Sequence, residues 1–250
     1  MILLKPKAHI KANFKAALAV FFIFPLFVCL FPETASGGVI IRDIIVLNHQ
    51  KVMLRAKTTG KIFAKGGQIV EFFVDGESVG KTLSGGDGVA FKSFTPMKIG
   101  LYQTRAASGE DKSAGLLFSL KKDTRIVFID VEGSLLQMRF STVPKKGSQK
   151  AVEEIYKKFT VVFLQTGFFG VTIVKAWLKK NNFPELPVVP WRQGAIFQEI
   201  TENGLRIHAV IGSSNVIESA KDYNGRSFSF NALENSELVK DWMEVIEKLK

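Results

Sequence analysis

Two rhythms of apolar and polar positions divide this chain. From Val39 to about Lys122, short apolar runs alternate with glycine-rich turns. Residues 69–83, "IVEFFVDGESVGKTL", are typical: an apolar run, Asp75-Gly76, then a second run. Asp-Gly between two such runs predicts a two-residue hairpin turn, because both residues tolerate the positive φ that a tight hairpin requires. Gly66-Gly67, Gly85-Gly86-Asp87-Gly88 and Gly109 mark further turns. Turns recurring about every 8–12 residues predict an all-β sandwich, with Phe91 and Tyr102 in its core.

From Thr124 the pattern changes. Apolar runs stand at Ile126–Ile129, Thr160–Leu164 and Ile207–Ile211, with weaker ones at Leu186–Val189 and Ser227–Phe230. Amphipathic stretches at 148–158, 169–181, 192–202, 215–223 and 235–249 separate them. In the last of these, Leu238, Trp242, Val245, Ile246 and Leu249 recur at helical spacing, with Asn235 or Ser236 as the cap. Strand–helix alternation predicts a parallel sheet with helices on both faces. In such sheets ligands bind beyond the carboxyl ends of the strands, and Asp130 and Glu132 sit at that edge.

The first 36 residues read as a targeting segment. Lys5, Lys7, Lys11 and Lys15 precede an uncharged apolar run at residues 16–31, "AALAVFFIFPLFVCLF". The run is shorter than the roughly 20 residues of a spanning helix, and Pro25 interrupts it. Thr34-Ala35-Ser36-Gly37 supplies small residues for cleavage. A signal peptide is the first reading; an uncleaved anchor, giving membrane association through residues 16–31, is the second. Either way the basic side stays in the cytoplasm and the rest is exported, free in the periplasm or another extracytoplasmic space, or held at the inner membrane.

The single cysteine, Cys29, lies in that run. The exported part therefore excludes disulfides, thiolate metal sites and cysteine nucleophiles. The formal net charge of +11 favours anionic partners. The basic residues are dispersed, and no nucleic-acid motif accompanies them, so no nucleic-acid partner is expected.

The chemistry concentrates in residues 125–137, "RIVFIDVEGSLLQ". An acid at the C-terminal end of a strand can be a nucleophile, a metal ligand, a helix cap or a plain turn residue. Gly133 lets the chain turn sharply, so both acids can face one pocket. The layout Asp130-Val131-Glu132-Gly133-Ser134-Leu135 resembles the first motif of the haloacid dehalogenase (HAD) superfamily, Asp-x-Asp-Gly-Thr-Leu. The resemblance implies Asp130 as the nucleophile on phosphorus, Glu132 as acid/base, and Mg²⁺ held by these acids.

The later motifs can be followed on the same resemblance. The strand "TVVFLQTG" ends in Thr166, a hydroxyl donor to a phosphoryl oxygen, with helix N-capping as its alternative. Arg192 stands where the family has a lysine, with Lys179 and Lys180 as alternatives and an ordinary surface arginine as the bland reading. The fourth motif keeps its frame around Gly212 and Ser214 but loses its acids. Ser213 stands where the first Asp belongs, Val216 falls at or beside the second, and Glu218 is the nearest acid. The implied Mg²⁺ site is weakened accordingly. His9, His49 and His208 are scattered and form no ligand pair.

Residues 87–108, "DGVAFKSFTPMKIGLYQTRAAS", resemble the later strands of bacterial immunoglobulin-like modules. The expected fold is thus α/β plus all-β. Residues 1–36 form a signal or anchor, 37–122 an Ig-like β-sandwich, and 123–250 a three-layer HAD-like Rossmannoid domain. Between Glu132 and Thr166 there is chain for one helix and no large cap, so the pocket is expected to be open. Two functions follow. One is a degenerate, non-catalytic relative that binds a phosphorylated ligand or an envelope protein. The other is a divergent Mg²⁺-dependent phosphatase acting on a large or lipid-linked phosphate.

Overall fold

The computed structural model describes residues 38–60, 63–138 and 141–249. The expected targeting segment lies outside the described residues, among which no helix is long and apolar enough to cross a membrane.

Two sheets form from the glycine-punctuated half. One has three antiparallel strands, in the order β1 (Gly38–Ile41), β3 (Val52–Thr59) and β6 (Val89–Phe94). The other has five: β2 (Ile44–Leu47), β8 (Asp111–Leu120), β7 (Gly100–Ser108), β4 (Ile69–Val74) and β5 (Glu77–Leu83). Asp75 (φ 49°) and Gly76 (φ 88°) join β4 to β5 in the expected two-residue turn. Inward residues alternate along β1, β3, β4 and β7, and Leu54, Ala56, Val70, Phe72, Tyr102 and Leu117 pack into one cluster. Tyr102 is in that core as expected, its hydroxyl taking the Lys98 N–H at 2.6 Å. Phe91 is not: Ala90 takes the inward position, and Phe91 faces outward opposite Arg55 with 48% of its surface exposed.

The second half forms a six-stranded sheet in which every pairing is parallel. The order is β11 (Val188–Pro190), β10 (Thr160–Gln165), β9 (Arg125–Asp130), β12 (Arg206–Ile211), β13 (Arg226–Ser229) and β14 (Glu237–Leu238). Five α-helices accompany it: α1 (Ser148–Tyr156), α2 (Val171–Lys180), α3 (Ala195–Glu202), α4 (Ser214–Ala220) and α5 (Trp242–Lys248). Successive strand residues enter different cores. Val127, Ile129, Val161 and Phe163 pack with α1, α2 and α5. Ile126, Phe128, Val162 and Leu164 pack with α3 and α4. The near-continuous apolar runs of β9 and β10 follow from burial on both faces.

Several boundaries depart from expectation for local reasons. The stretch 235–249 is not one helix: residues 237–238 pair in parallel with Phe228 and Ser229, and α5 starts later. Its cap is Asp241, whose side chain accepts the N–H groups of Met243 and Glu244 at 2.9 and 3.0 Å, rather than Asn235 or Ser236. The helix expected from 192 begins at Ala195, because Arg192 and Gln193 adopt φ values of 49° and 54°.

The halves meet in buried contacts. Phe118 and Leu120 of β8 belong to the cluster that holds α3 and α4. Asp43, between β1 and β2, is fully buried and accepts three hydrogen bonds of 2.8 Å: from the N–H of Leu116, the N–H of Val188 on β11 and the ammonium of Lys175 on α2.

Candidate functional site

The chain leaves β9 on one side to build β10 and β11, then returns to the other side to build β12. The C-terminal end of β9 is therefore a point where the strand order reverses, and a crevice opens there. Its volume is about 690 Å³, and Glu132, Gly133, Lys145, Thr166, Ser213 and Asn231 are among the residues that line it.

Asp130 ends β9 and lies wholly buried beneath this crevice. Its Oδ1 accepts the Thr166 hydroxyl at 2.5 Å and the Gly133 N–H at 3.0 Å. Its Oδ2 accepts the Ser213 hydroxyl at 2.7 Å and the Ser213 N–H at 3.1 Å. Four donors fill the roughly four acceptor positions of an ionised carboxylate. The backbone closes in as well: a Cβ on Gly133 would lie 2.1 Å from Oδ2, and one on Gly212 2.8 Å from the Asp130 Cβ. Glycine at both positions is what lets the turn after β9 and the turn after β12 approach this side chain.

Glu132, two residues on in the turn Val131–Leu135, is half-buried. Burial raises its pKa, and the Asp130 charge adds to the rise. The N–H groups of Gly167, Phe168 and Phe169 favour its ionised form, yet none reaches Oε1 with hydrogen-bond geometry, and that oxygen is buried without a partner. A Cβ on Gly167 would fall 1.6 Å from Oε2, so the carboxylate rests directly on the turn after β10.

Asp130, Glu132 and Thr166 thus come together. Thr166 is not the cap of α2, whose N-cap is Gly170; it donates to Asp130. Arg192 does not join them. Trp191 lines the Asp130 crevice, whereas Arg192 pairs with Glu199 and lines a different one. The left-handed backbone at Arg192 accompanies this change of direction. The cation that does line the crevice is Lys145, with its ammonium 3.9 Å from the Phe230 ring centroid and its pKa lowered by burial. Sequence reading missed it because it sits in the loop before α1, far from the expected helix start. Its one signal is a lysine pair directly before Gly147, the N-cap of α1.

A magnesium ion prefers six oxygen ligands in octahedral array, with carboxylates among them. Among the described residues no three Asp, Glu, His or Cys side chains converge. Both Asp130 oxygens are directed at protein donors, and Ser213 brings a donor where an acid would be needed. The side chains present do not fit this ion.

No protein-family model matches the sequence, and no curated protein matches it. Solved structures give remote likenesses to parts of it. A protein described as a HAD family hydrolase from Streptomyces avermitilis aligns at 16% identity, over 51% of this chain and 78% of that one, with a TM-score of 0.33. A CARDB domain from Pyrococcus furiosus aligns at 17% identity, over 34% of this chain and 94% of that one, with a TM-score of 0.27. Fibronectin(III)-like modules of Clostridium thermocellum align at 16% identity over 33% of this chain and 97% of that one, with a TM-score of 0.23.

Proposed function

We propose that this chain is an exported two-domain protein, an Ig-like sandwich followed by a three-layer HAD-like domain, that binds a phosphorylated ligand or an envelope partner without efficient catalysis. The carrying observation is the state of Asp130: buried, with both oxygens taken by Thr166, Gly133 and Ser213. A nucleophilic carboxylate needs a free lone pair aimed at phosphorus and a cation to offset charge repulsion. Here the lone pairs face protein donors, which supports Asp130 as the brace of the crevice floor. Lys145, Asn215 and Asn231 around the opening supply the polar contacts for a ligand.

The second reading, a divergent phosphatase, is favoured by one observation. The raised pKa of Glu132 suits a proton donor to a leaving group. The deciding experiment offers the full chain an aryl phosphate with and without Mg²⁺. The binding reading expects no turnover above that of Asp130→Asn. Turnover that requires Mg²⁺ and is abolished by Asp130→Asn would establish the enzyme instead. Mass spectrometry of the secreted or membrane-held protein separates a cleaved signal from a retained anchor.

A further inference from the structure

The second crevice, of about 410 Å³, lies where the sandwich meets the parallel sheet. Three arginines from separate elements line it: Arg42 between β1 and β2, Arg55 on β3, and Arg192 after β11. Arg192 is opposed by Glu199. Among the described residues neither Arg42 nor Arg55 pairs with a carboxylate. Asp43 is adjacent, but its carboxylate is committed to Lys175 and two backbone N–H groups. Arg55 lies over the outward-facing Phe91 ring, 5.9 Å from its centroid.

Like charges gathered at a partly desolvated cleft oppose one another. The pKa of Arg42 is lowered by burial first, then by Arg55 and by Arg192. An anion seated among them would relieve that opposition. The backbone at Arg192 and Gln193 gives a second, independent sign. Two consecutive non-glycine residues with positive φ are strained, and such strain clusters where a ligand must be met.

We propose that this crevice binds a small organic phosphate, its phosphoryl oxygens held by Arg42, Arg55 and Arg192 and its organic part against Met53, Phe91 and Ile196. Guanidinium forks match phosphoryl oxygens in pairs, and three forks surround one tetrahedral group more fully than a flat carboxylate. The volume is that of a small-molecule site. The site is separate from the Asp130 crevice and stands whether or not that crevice binds anything.

The test has a solution arm and a membrane arm, both with the full chain. Glycerol phosphate is titrated by calorimetry, and vesicles of phosphatidylcholine with or without phosphatidic acid are tested by flotation. Saturable binding in the first arm assigns a soluble ligand; binding only to vesicles that contain phosphatidic acid assigns a lipid headgroup. In either case Arg42→Gln and Arg55→Gln should weaken it about tenfold, the scale of one charge-assisted contact, whereas Lys112→Gln, on β8 and outside the lining of both crevices, should leave it unchanged. The arginines are exposed, so their variants should fold, which circular dichroism checks. No binding in either arm overturns the proposal. So does binding that survives Arg42→Gln and Arg55→Gln, which would place a soluble phosphate in the Asp130 crevice and vesicle attachment outside the arginine crevice.

Discussion

Ser213 gives both its hydroxyl and its N–H to one oxygen of Asp130, at 2.7 and 3.1 Å. Ser213→Asp would set a second carboxylate against the buried first one from a half-buried position at the crevice wall. In metal-free buffer the variant should lose about 1–3 kcal/mol, the cost of unpairing a buried polar group, or several degrees of melting temperature. Millimolar Mg²⁺ should restore part of that loss in the variant and leave the parent unmoved. Thermal unfolding with and without Mg²⁺ makes the comparison, and an equal Mg²⁺ response in both proteins would contradict it.

Asp43 ties the sandwich to α2 and β11 through three hydrogen bonds. Asp43→Ala leaves two backbone N–H groups and the Lys175 ammonium without their acceptor. The expected loss is about 3 kcal/mol, since breaking a buried pair strands the surviving partner. Urea unfolding measures it. Lys175→Met should cost less, because the two N–H groups keep their acceptor.

The raised pKa of Glu132 fixes the sign of a pH effect. An unfolded chain ionises this group near its ordinary value of 4.5, while the folded chain holds the proton to higher pH. Its contribution to stability is full below 4.5 and declines as pH rises toward the folded value. Glu132→Gln should therefore gain on the parent between acid and neutral pH and match it most closely at low pH. Urea midpoints at pH 4 and 7.5 test this.

His208 has the opposite sign. It stacks on Phe159 with centroids 4.7 Å apart, and its pKa is lowered by burial, then by Arg125 and Arg226. The folded chain keeps it neutral where the unfolded chain, near 6.5, takes up a proton. Stability should fall as pH drops through 6.5 toward the folded value. His208→Phe should flatten that part of the stability profile.

The hydrophobic pattern alone located β9, β10 and β12, because strands buried on both faces carry long apolar runs. It overran at 235–249, where two residues of strand pairing in parallel with Phe228 and Ser229 carry no periodicity of their own. The acid pair and Thr166 were legible because each lies at a strand end or in the turn beyond it, where position along the chain nearly fixes position in space. Arg192 was misplaced by a single step: its neighbour Trp191 lines the Asp130 crevice, and the positive φ at 192 is invisible in the residue type. Lys145 was missed because loops carry no period. The arginine trio was hidden for a different reason, since Arg42, Arg55 and Arg192 meet only when two sheets pack.

β8 ends at Leu120 and β9 begins at Arg125, yet Phe118 and Leu120 are already embedded among the residues of α3 and α4. The seam between the halves is therefore no neutral cutting point. Dividing the chain at 122/123 would produce two fragments with greasy wounds, prone to clump, rather than two interchangeable modules. Grafting either piece onto another scaffold would require new cover for those side chains. The intact protein, by the same reasoning, should melt in one step.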